Sequence, residues 1–352
     1  MLIRKLALKN YRNHSSLHFT FKPGINVIAG ENGAGKTNIA EAIYYLSLGR
    51  SFRGVDNLDL IKEGENYALI DSRIDIGGLP RDISVTFFKN QRTIKINNKP
   101  ITKLSELLKS INVILFEPKD VLLFTGSPKG RRDFLDISLS KQSDIYLKAM
   151  THYEKVLKDR NDILKAPQID QVLLDTTTDL LIKYAEVIVK MRTAYLKDIN
   201  DILIKIARAL TGTREEMELI YHPFVEWDEE YTKNAKNAFN KALETDLKYK
   251  ATSIGIHRED FSIKLFGKDI ATFGSQGENR LTALALKLAP YFLEEDRDKR
   301  PIIVLDDVMS ELDAKHQGNL INLLKKFDQV FITATRLVID GASHYHINKR
   351  KQ

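Results

Sequence analysis

The sequence predicts an α/β fold, a P-loop core with antiparallel strands beside it, interrupted by an inserted helical arm. Three observations predict this. An apolar strand runs into the glycine-rich loop Gly30-Glu31-Asn32-Gly33-Ala34-Gly35-Lys36-Thr37, and helical spacing follows it. A second apolar run, Pro301-Ile302-Ile303-Val304-Leu305, ends in the paired acids Asp306-Asp307. Between the two, from about Leu122 to Tyr249, the periodicity is mainly helical.

Taken in order, Leu2 to Leu8 and Leu17 to Phe21 alternate partially, as strands do, and Pro23-Gly24 marks a turn. Gly24 to Gly30 is a short apolar strand. From Thr37 to Leu48, Ile39, Ala40, Ile43, Leu46 and Ser47 fall at helical spacing. Residues 67–100 return to strand-like text, with Ile83, Val85 and Phe87 alternating and turns near Asn90-Gln91 and Asn97-Asn98. The helical region holds a long periodic stretch from Leu173 to Leu210 and a second helix between Glu229 and Lys250. Gly126 to Gly130 and Lys165-Ala166-Pro167 read as linkers within it. Strand and helix alternate again from Ile263. The expected domains are 1–116 with 250–352 for the core and 117–249 for the arm.

Composition narrows the function classes. The 352 residues are 43% hydrophobic and 29% charged, which describes a globular chain. Without cysteine, disulfides, thiolate zinc sites and cysteine nucleophiles are excluded. No apolar run reaches the roughly 18 residues of a membrane span, and the opening Met1-Leu2-Ile3-Arg4-Lys5 lacks the apolar core of a secretory signal, so a cytoplasmic protein without a membrane partner is expected. The formal charge of +7 favours polyanionic partners. The strand-like segment carries Arg81, Lys89, Arg92, Lys95, Lys99 and Lys103 against the single acid Asp82.

The two motifs carry phosphate chemistry. Glycines let backbone N–H groups curl around phosphates, and the following helix offers its positive N-terminus. Lys36 is placed to reach the β- and γ-phosphates, and the Thr37 hydroxyl to ligate Mg²⁺. Asp306, at the end of a buried strand, can hold that ion through water, and Asp307 can polarise the attacking water. ATP and Mg²⁺ are the expected cofactors, with Lys36 and Asp307 the expected catalytic pair.

Further runs carry a resemblance. Leu8-Lys9-Asn10-Tyr11-Arg12-Asn13 opens it, and Asn38-Ile39-Ala40-Glu41-Ala42-Ile43-Tyr44 and Gly49-Arg50-Ser51-Phe52-Arg53 follow the P-loop. Phe116 to Asp120, and Gly126-x-Pro128-x-x-Arg131-Arg132-x-Phe134-Leu135-Asp136, form a middle block. Gly255-x-His257-Arg258-Glu259-Asp260-Phe261, Gly274-Ser275-Gln276-Gly277 and Asp306-Asp307-x-x-Ser310-Glu311-Leu312-Asp313 close it. Together these resemble the RecF family of DNA replication and repair ATPases along nearly the whole chain. The resemblance implies an ABC-type ATPase head that dimerises over ATP, with Ser275 and Gly277 of one subunit capping the γ-phosphate held by the other. It places Arg12 and Asn13 at the nucleotide with Gly30, Asn32, Gly33, Ala34, Gly35, Lys36, Thr37 and Asn38, and Asp313 near the shared interface. It implies double-stranded and gapped DNA as ligand and RecR, with RecO and RecA, as partners. Lys129, Arg131 and Arg132 join Arg81, Lys89, Arg92 and Lys95 as the candidate DNA-phosphate contacts.

The departures from the pattern also have consequences. Glu278 and Asn279 follow the signature glycine, where the family usually has glutamine; Glu278 is expected to cap the next helix. No histidine stands at the ABC switch position, where Phe331-Ile332-Thr333-Ala334-Thr335 runs. For the glutamine of a typical Q-loop, only Glu117 or Gln91 is nearby. Asp307 is one methylene shorter than the glutamate of ABC transporters, which predicts slow hydrolysis. The alternative function is an ABC-type ATPase that does not act on DNA. Trp227 is expected inside the arm, the Tyr153, Val156 and Leu157 stripe in its core, His257 in a structural or nucleotide role, and His344-x-His346 on a solvated strand. Lys349-Arg350-Lys351 is read as a frayed basic end.

Overall fold

The computed structural model describes residues 1–89, 91–213 and 216–348. Asn90 of the expected turn and the Lys349-Arg350-Lys351 tail lie outside the described residues. Along the chain run β1 (Leu2–Tyr11), β2 (His14–Thr20), β3 (Gly24–Gly30), α1 (Lys36–Leu48), β4 (Tyr67–Ile76), β5 (Leu79–Phe88), β6 (Arg92–Ile96) and β7 (Lys99–Pro100). Then come α2 (Leu104–Leu108), β8 (Val113–Phe116), α3 (Pro128–Gln142), α4 (Asp144–Lys165), α5 (Gln171–Thr211), β9 (Met217–His222) and α6 (Tyr231–Tyr249). The chain continues with β10 (Asp260–Leu265), β11 (Lys268–Asp269), α7 (Ile270–Phe273), α8 (Gln276–Leu293), β12 (Ile302–Asp306), α9 (Ala314–Leu324), β13 (Gln329–Ala334) and β14 (Ser343–Ile347).

The described residues of Met1–Asp120, Lys205–Arg214 and Arg280–Gln352 form one compact unit, and those of Val121–Ile204 and Glu215–Asn279 a second. In the first, a parallel sheet has the order β14-β3-β13-β12-β8 and an antiparallel sheet the order β2-β1-β4-β5-β6-β7. The central parallel strands read as unbroken apolar text because both their faces are covered: every residue of β12 and β13 is buried. The antiparallel sheet alternates instead. Ile70, Ile74, Ile83, Val85 and Phe87 join Ile39, Ile43 and Leu46 of α1 in one core, while Lys5, Lys9, Asp71 and Lys95 face outward. Helix α1 thus carries the P-loop on a support packed from both sheets.

The boundaries expected from the sequence differ from these units. Residues 250–279, assigned from the sequence to the core, group with the helices, because β10 pairs antiparallel with β9, setting Phe261 opposite Tyr221. The region expected to be wholly helical therefore contributes a strand, Met217–His222, which is too short to leave a period in the sequence. The Gly126–Gly130 stretch is not a linker throughout: α3 starts within it, with Ser127 just before the helix and Pro128 in its first position, where a missing N–H costs nothing. The long helix predicted from Leu173 to Leu210 is α5. Trp227, expected in the core, is 39% exposed, and Lys190 Nζ sits 4.7 Å from its ring centre.

The second unit is organised around two buried arginines. Arg192 donates to Asp136 Oδ1 (2.7 Å), Glu259 Oε2 (2.6 Å), Tyr146 Oη (3.0 Å) and Ile256 O (3.1 Å). Arg160 donates to Asp246 Oδ2 and to the Thr252 hydroxyl, both at 2.8 Å. His257 is structural: its ring nitrogens meet the Tyr153 hydroxyl (2.9 Å) and Thr252 O (3.1 Å). Both side chains of the Arg160–Asp246 pair are at most 1% exposed, so removing one partner strands the other charge. We expect Arg160→Ala to cost about 3–5 kcal/mol in urea unfolding. The double exchange Arg160→Leu/Asp246→Leu should cost less than Arg160→Ala alone.

Candidate functional site: a P-loop with its acidic partner

Strand β3 delivers Gly30 from the core, and the chain then turns through two left-handed glycines, Gly33 (φ +81°) and Gly35 (φ +96°). At Gly35 glycine is needed twice over. The φ is one that residues with a side chain rarely adopt, and an added Cβ would stand 2.3 Å from His14 Nε2 and 2.5 Å from Asn13 Oδ1. The loop is clasped by the β1–β2 turn: the His14 ring meets Gly35 O at 3.1 Å and Asn13 Nδ2 donates to Gly33 O at 3.3 Å. No side chain caps the start of α1. Its first N–H groups are left for an anion. Lys36 Nζ donates to Gly30 O (2.8 Å) and Glu31 O (3.0 Å), folding back over the loop where a phosphate can take it up.

Asp306 stands where the second motif predicts, at the end of β12 and 4% exposed. Thr333, on the neighbouring parallel strand and in register with Asp306, donates its hydroxyl to Asp306 Oδ1 at 2.6 Å and accepts the Asp307 N–H at 3.0 Å. Burial pushes the Asp306 pKa up, opposed by the hydrogen bond from Thr333. Among the described residues no cluster of three or more His, Cys, Asp or Glu could hold a metal. One buried carboxylate and one hydroxyl could hold a hard cation that took its other ligands from phosphates and water. Asp307 is exposed, at φ +52°, and Ser310 Oγ donates to its Oδ1 (3.1 Å) and its O (2.9 Å). That fixes a carboxylate beside the buried acid, facing solvent.

A cavity of about 1600 Å³ opens at the loop, with Arg12, Asn13, Asn38, Arg53 and Lys62 among its walls. Arg12 is held bidentately by Glu41, at 2.8 and 2.6 Å, and its Nη1 reaches Asp59 O at 3.0 Å. At the expected switch position Thr335 Oγ1 donates to Asn32 Oδ1 at 3.1 Å. The motifs did not single out Arg53, His14, Glu41 or Thr333. The one sequence signal for Glu41 is an acid inside the apolar run Ile39-Ala40-Glu41-Ala42-Ile43. Thr333 becomes legible once β12 and β13 are set in parallel register.

Ser275 and Gly277 belong to the second unit, at the start of α8. Glu278 takes the capping role expected of it. Its carboxylate accepts the Ser275 N–H and hydroxyl, both at 2.7 Å, while Ser275 Oγ accepts the Glu278 N–H at 3.2 Å. These bonds hold the Glu278 pKa below the ordinary value. Gly277 has open space around its α-carbon.

The candidate DNA contacts divide. Arg131 is corrected outright. It is 7% exposed, with its guanidinium spent on Asp260 (2.6 and 2.7 Å) and the carbonyls of Leu123, Phe124 and Gly126. Arg92 is half-buried and committed to the Tyr45 hydroxyl (2.6 Å) and Gly49 O, and Arg132 donates to Glu259 O at 2.8 Å. Lys89, Lys95 and Lys129 are exposed, and Arg81 is half-buried.

The fold and this pairing of a P-loop with a buried strand-end acid define an ATPase head of the ABC type. A family model described as the RecF/RecN/SMC N-terminal domain matches residues 2–351. The DNA replication and repair protein RecF of Oceanobacillus iheyensis is 36% identical over 356 residues, covering 98% of this chain and 95% of that one. The Bacillus cytotoxicus protein of the same name is 36% identical over 359 residues, covering 100% and 96%. The chain belongs to the RecF family of DNA replication and repair proteins. A solved structure of the recombination mediator protein RecF with ATP, of the RecFOR pathway, superposes with a TM-score of 0.88 at 33% identity, over 97% of this chain and 95% of that one. The Smc head domain from Pyrococcus furiosus, at 18% identity and a TM-score of 0.58, shares the fold. Among the described residues no helix is long and apolar enough to cross a membrane.

Glu117, the residue after β8, gives a pH signature. Burial, aided by Asp120, lifts its pKa from 4.5 to about 7. Between those values the folded state binds the proton and the unfolded state has lost it, so stability falls as pH rises through this window. Glu117→Gln should flatten that slope in Tm measured across the window, and should raise Tm above the wild-type value on its alkaline side.

Proposed function

We propose that this chain is a slow, DNA-stimulated ATPase of recombinational repair and replication restart, working in the cytoplasm. It binds duplex DNA and single-strand/duplex junctions, closes into a dimer over Mg·ATP, and assists RecA loading with RecR and RecO. The observation that carries the reading is the Asp306–Thr333–Asp307 arrangement facing a P-loop whose helix start is uncapped. Thr37 and Asp306 would hold Mg²⁺, and Lys36 the β- and γ-phosphates. Asp307 would polarise the attacking water. A short carboxylate as base and Thr335 in place of a switch histidine both favour a slow rate, suited to a switch. In the dimer, Ser275 and Gly277 of one subunit would meet the γ-phosphate held by the other. The Ser275–Glu278 cap leaves that helix start rigid and Gly277 unobstructed. ATP would then be part of the interface, and hydrolysis would loosen it.

For DNA, Lys95 supports the reading best of the candidates. It stands in the cross-strand row His18–Ala7–Asp71–Ser84–Lys95 on the outward face of the antiparallel sheet. Lys5 and Lys9 flank Ala7 on that same face. Such lysines would meet phosphates without reading sequence. Arg81, Lys89, Lys129 and Arg132 would lend further positive charge.

The test is steady-state ATP hydrolysis with no DNA, with single strands and with gapped duplex. We expect gapped duplex to raise a slow rate and Lys36→Ala to abolish it. Asp307→Asn should lower it by about 10²-fold or more. A fast rate indifferent to every DNA would leave the ATPase and remove the DNA assignment. Each of Lys5→Gln and Lys95→Gln should reduce the slope of log binding constant against log salt by about 1.

A further inference from the structure

The cavity wall around the P-loop is tied together by a closed circuit of side chains that also runs through the backbone of Arg12-Asn13 and the backbone N–H of Arg53. Arg12 grips Glu41 bidentately at 2.8 and 2.6 Å, and the neighbouring Asn13 accepts from Asn38 Nδ2 at 2.7 Å. Asn38 Oδ1 accepts from Arg53 Nη1 at 3.1 Å, and the Arg53 N–H donates to Ser51 Oγ at 3.0 Å. Ser51 closes the circuit by donating its hydroxyl to Glu41 Oε1 at 2.5 Å. Arg12, Asn13, Asn38 and Arg53 line the cavity, whereas Glu41 and Ser51 are not among its walls. Glu41 is 0% exposed and Ser51 8%.

Two features separate this ring from ordinary packing. Arg12 has φ +55°, a left-handed conformation that a non-glycine residue keeps only where its surroundings over-determine it. Its guanidinium is held at Nε and Nη2 by one carboxylate and at Nη1 by Asp59 O, which among the described residues leaves one N–H on each terminal nitrogen available in a side chain 15% exposed. A fork fixed in this way is pre-organised toward an anion, and its flexible stem loses little freedom on binding.

We propose that Glu41 is the positioning residue of the nucleotide site: it does not touch ATP, but presets Arg12 directly, and Arg53 through Ser51, on the cavity wall. The proposal rests on the reading of this cavity as the ATP site. In that site Arg12 and Arg53 supply the two guanidinium groups that meet the nucleotide. Glu41 fixes where they stand relative to the P-loop, because it projects from α1, the helix that Lys36 opens. The carboxylate grips the Arg12 guanidinium itself and, through the Ser51 hydroxyl, anchors the backbone N–H of Arg53, whose guanidinium is oriented by Asn38.

The experiment uses the full-length protein and a fluorescent ATP analogue with Mg²⁺, with Tm recorded for each variant. Glu41→Gln keeps the shape and removes the charge, and should weaken analogue binding about tenfold. The same change in an Arg12→Ala/Arg53→Ala background should weaken it less than about twofold, because residues that act through one another are non-additive. An equal factor in both backgrounds would mean that Glu41 only supports the fold, and would overturn the proposal, as would unchanged binding in the single variant. If Glu41→Gln fails to fold, Ser51→Ala decides, since it leaves the Arg12 pair in place. It should weaken binding, and that effect should vanish in an Arg53→Ala background; an effect that persists there, or none at all, overturns the proposal. Analogue binding that survives Lys36→Ala would instead remove the ATP reading of the cavity, separately from any outcome at Glu41.

Discussion

A phosphate-binding loop has to keep most of its backbone N–H groups unspent, and so cannot be held in shape by its own backbone bonds alone. The rest of the first unit answers that constraint. The loop starts on a strand buried in a parallel sheet and ends on α1, which packs against both sheets. Its middle is clasped by Asn13 and His14, whose turn fits only because Gly35 has no side chain. The antiparallel sheet therefore does more than cover a core. By carrying the β1–β2 turn it holds the phosphate cradle in place.

The acids opposite the loop obey a related rule. A carboxylate buried at a strand end costs free energy unless it is hydrogen-bonded. Asp306 meets that condition with the hydroxyl of Thr333 from the adjacent strand. Thr333 is also the acceptor for the Asp307 N–H, so one hydroxyl fixes both acids. The arrangement separates their roles by burial alone: the acid held inside suits a cation shared with phosphates, and the one turned outward suits a water molecule. In the second unit the same rule governs charges with no place in the chemistry. Arg160 and Arg192 are each surrounded by acceptors, which fixes the helices and the short sheet that carry the start of α8.

How far the sequence could be read follows from the range of each interaction. The P-loop, its strand and its helix are contiguous, and local periodicity shows them. The same holds for α5, whose apolar positions repeat over 41 residues, and for the Ser275–Glu278 cap, which spans a single turn. Elements defined by distant partners stayed hidden. Strand β9 exists because Met217–His222 finds Asp260–Leu265, and that pairing moves residues 250–279 out of the unit their motifs suggested. Arg131 has the composition of a phosphate contact, but Asp260, 129 positions along the chain, claims it. Arg12 was legible as a site residue from its motif, whereas Glu41 and Ser51, which hold it and Arg53, were not.

These misreadings share a cause. A basic residue in a sequence looks the same whether its charge faces solvent or answers a buried acid, and only the fold decides. In this chain Arg12, Arg92, Arg131, Arg160 and Arg192 are spent inward on carboxylates, hydroxyls or backbone carbonyls. Lysines, whose single ammonium group is strongly hydrated and whose stems are flexible, supply most of the outward charge on the sheet face. A planar fork held by a buried acid keeps a fixed geometry, as Arg12 does on Glu41, whereas lysine ammonium groups on an open sheet keep their hydration and their reach.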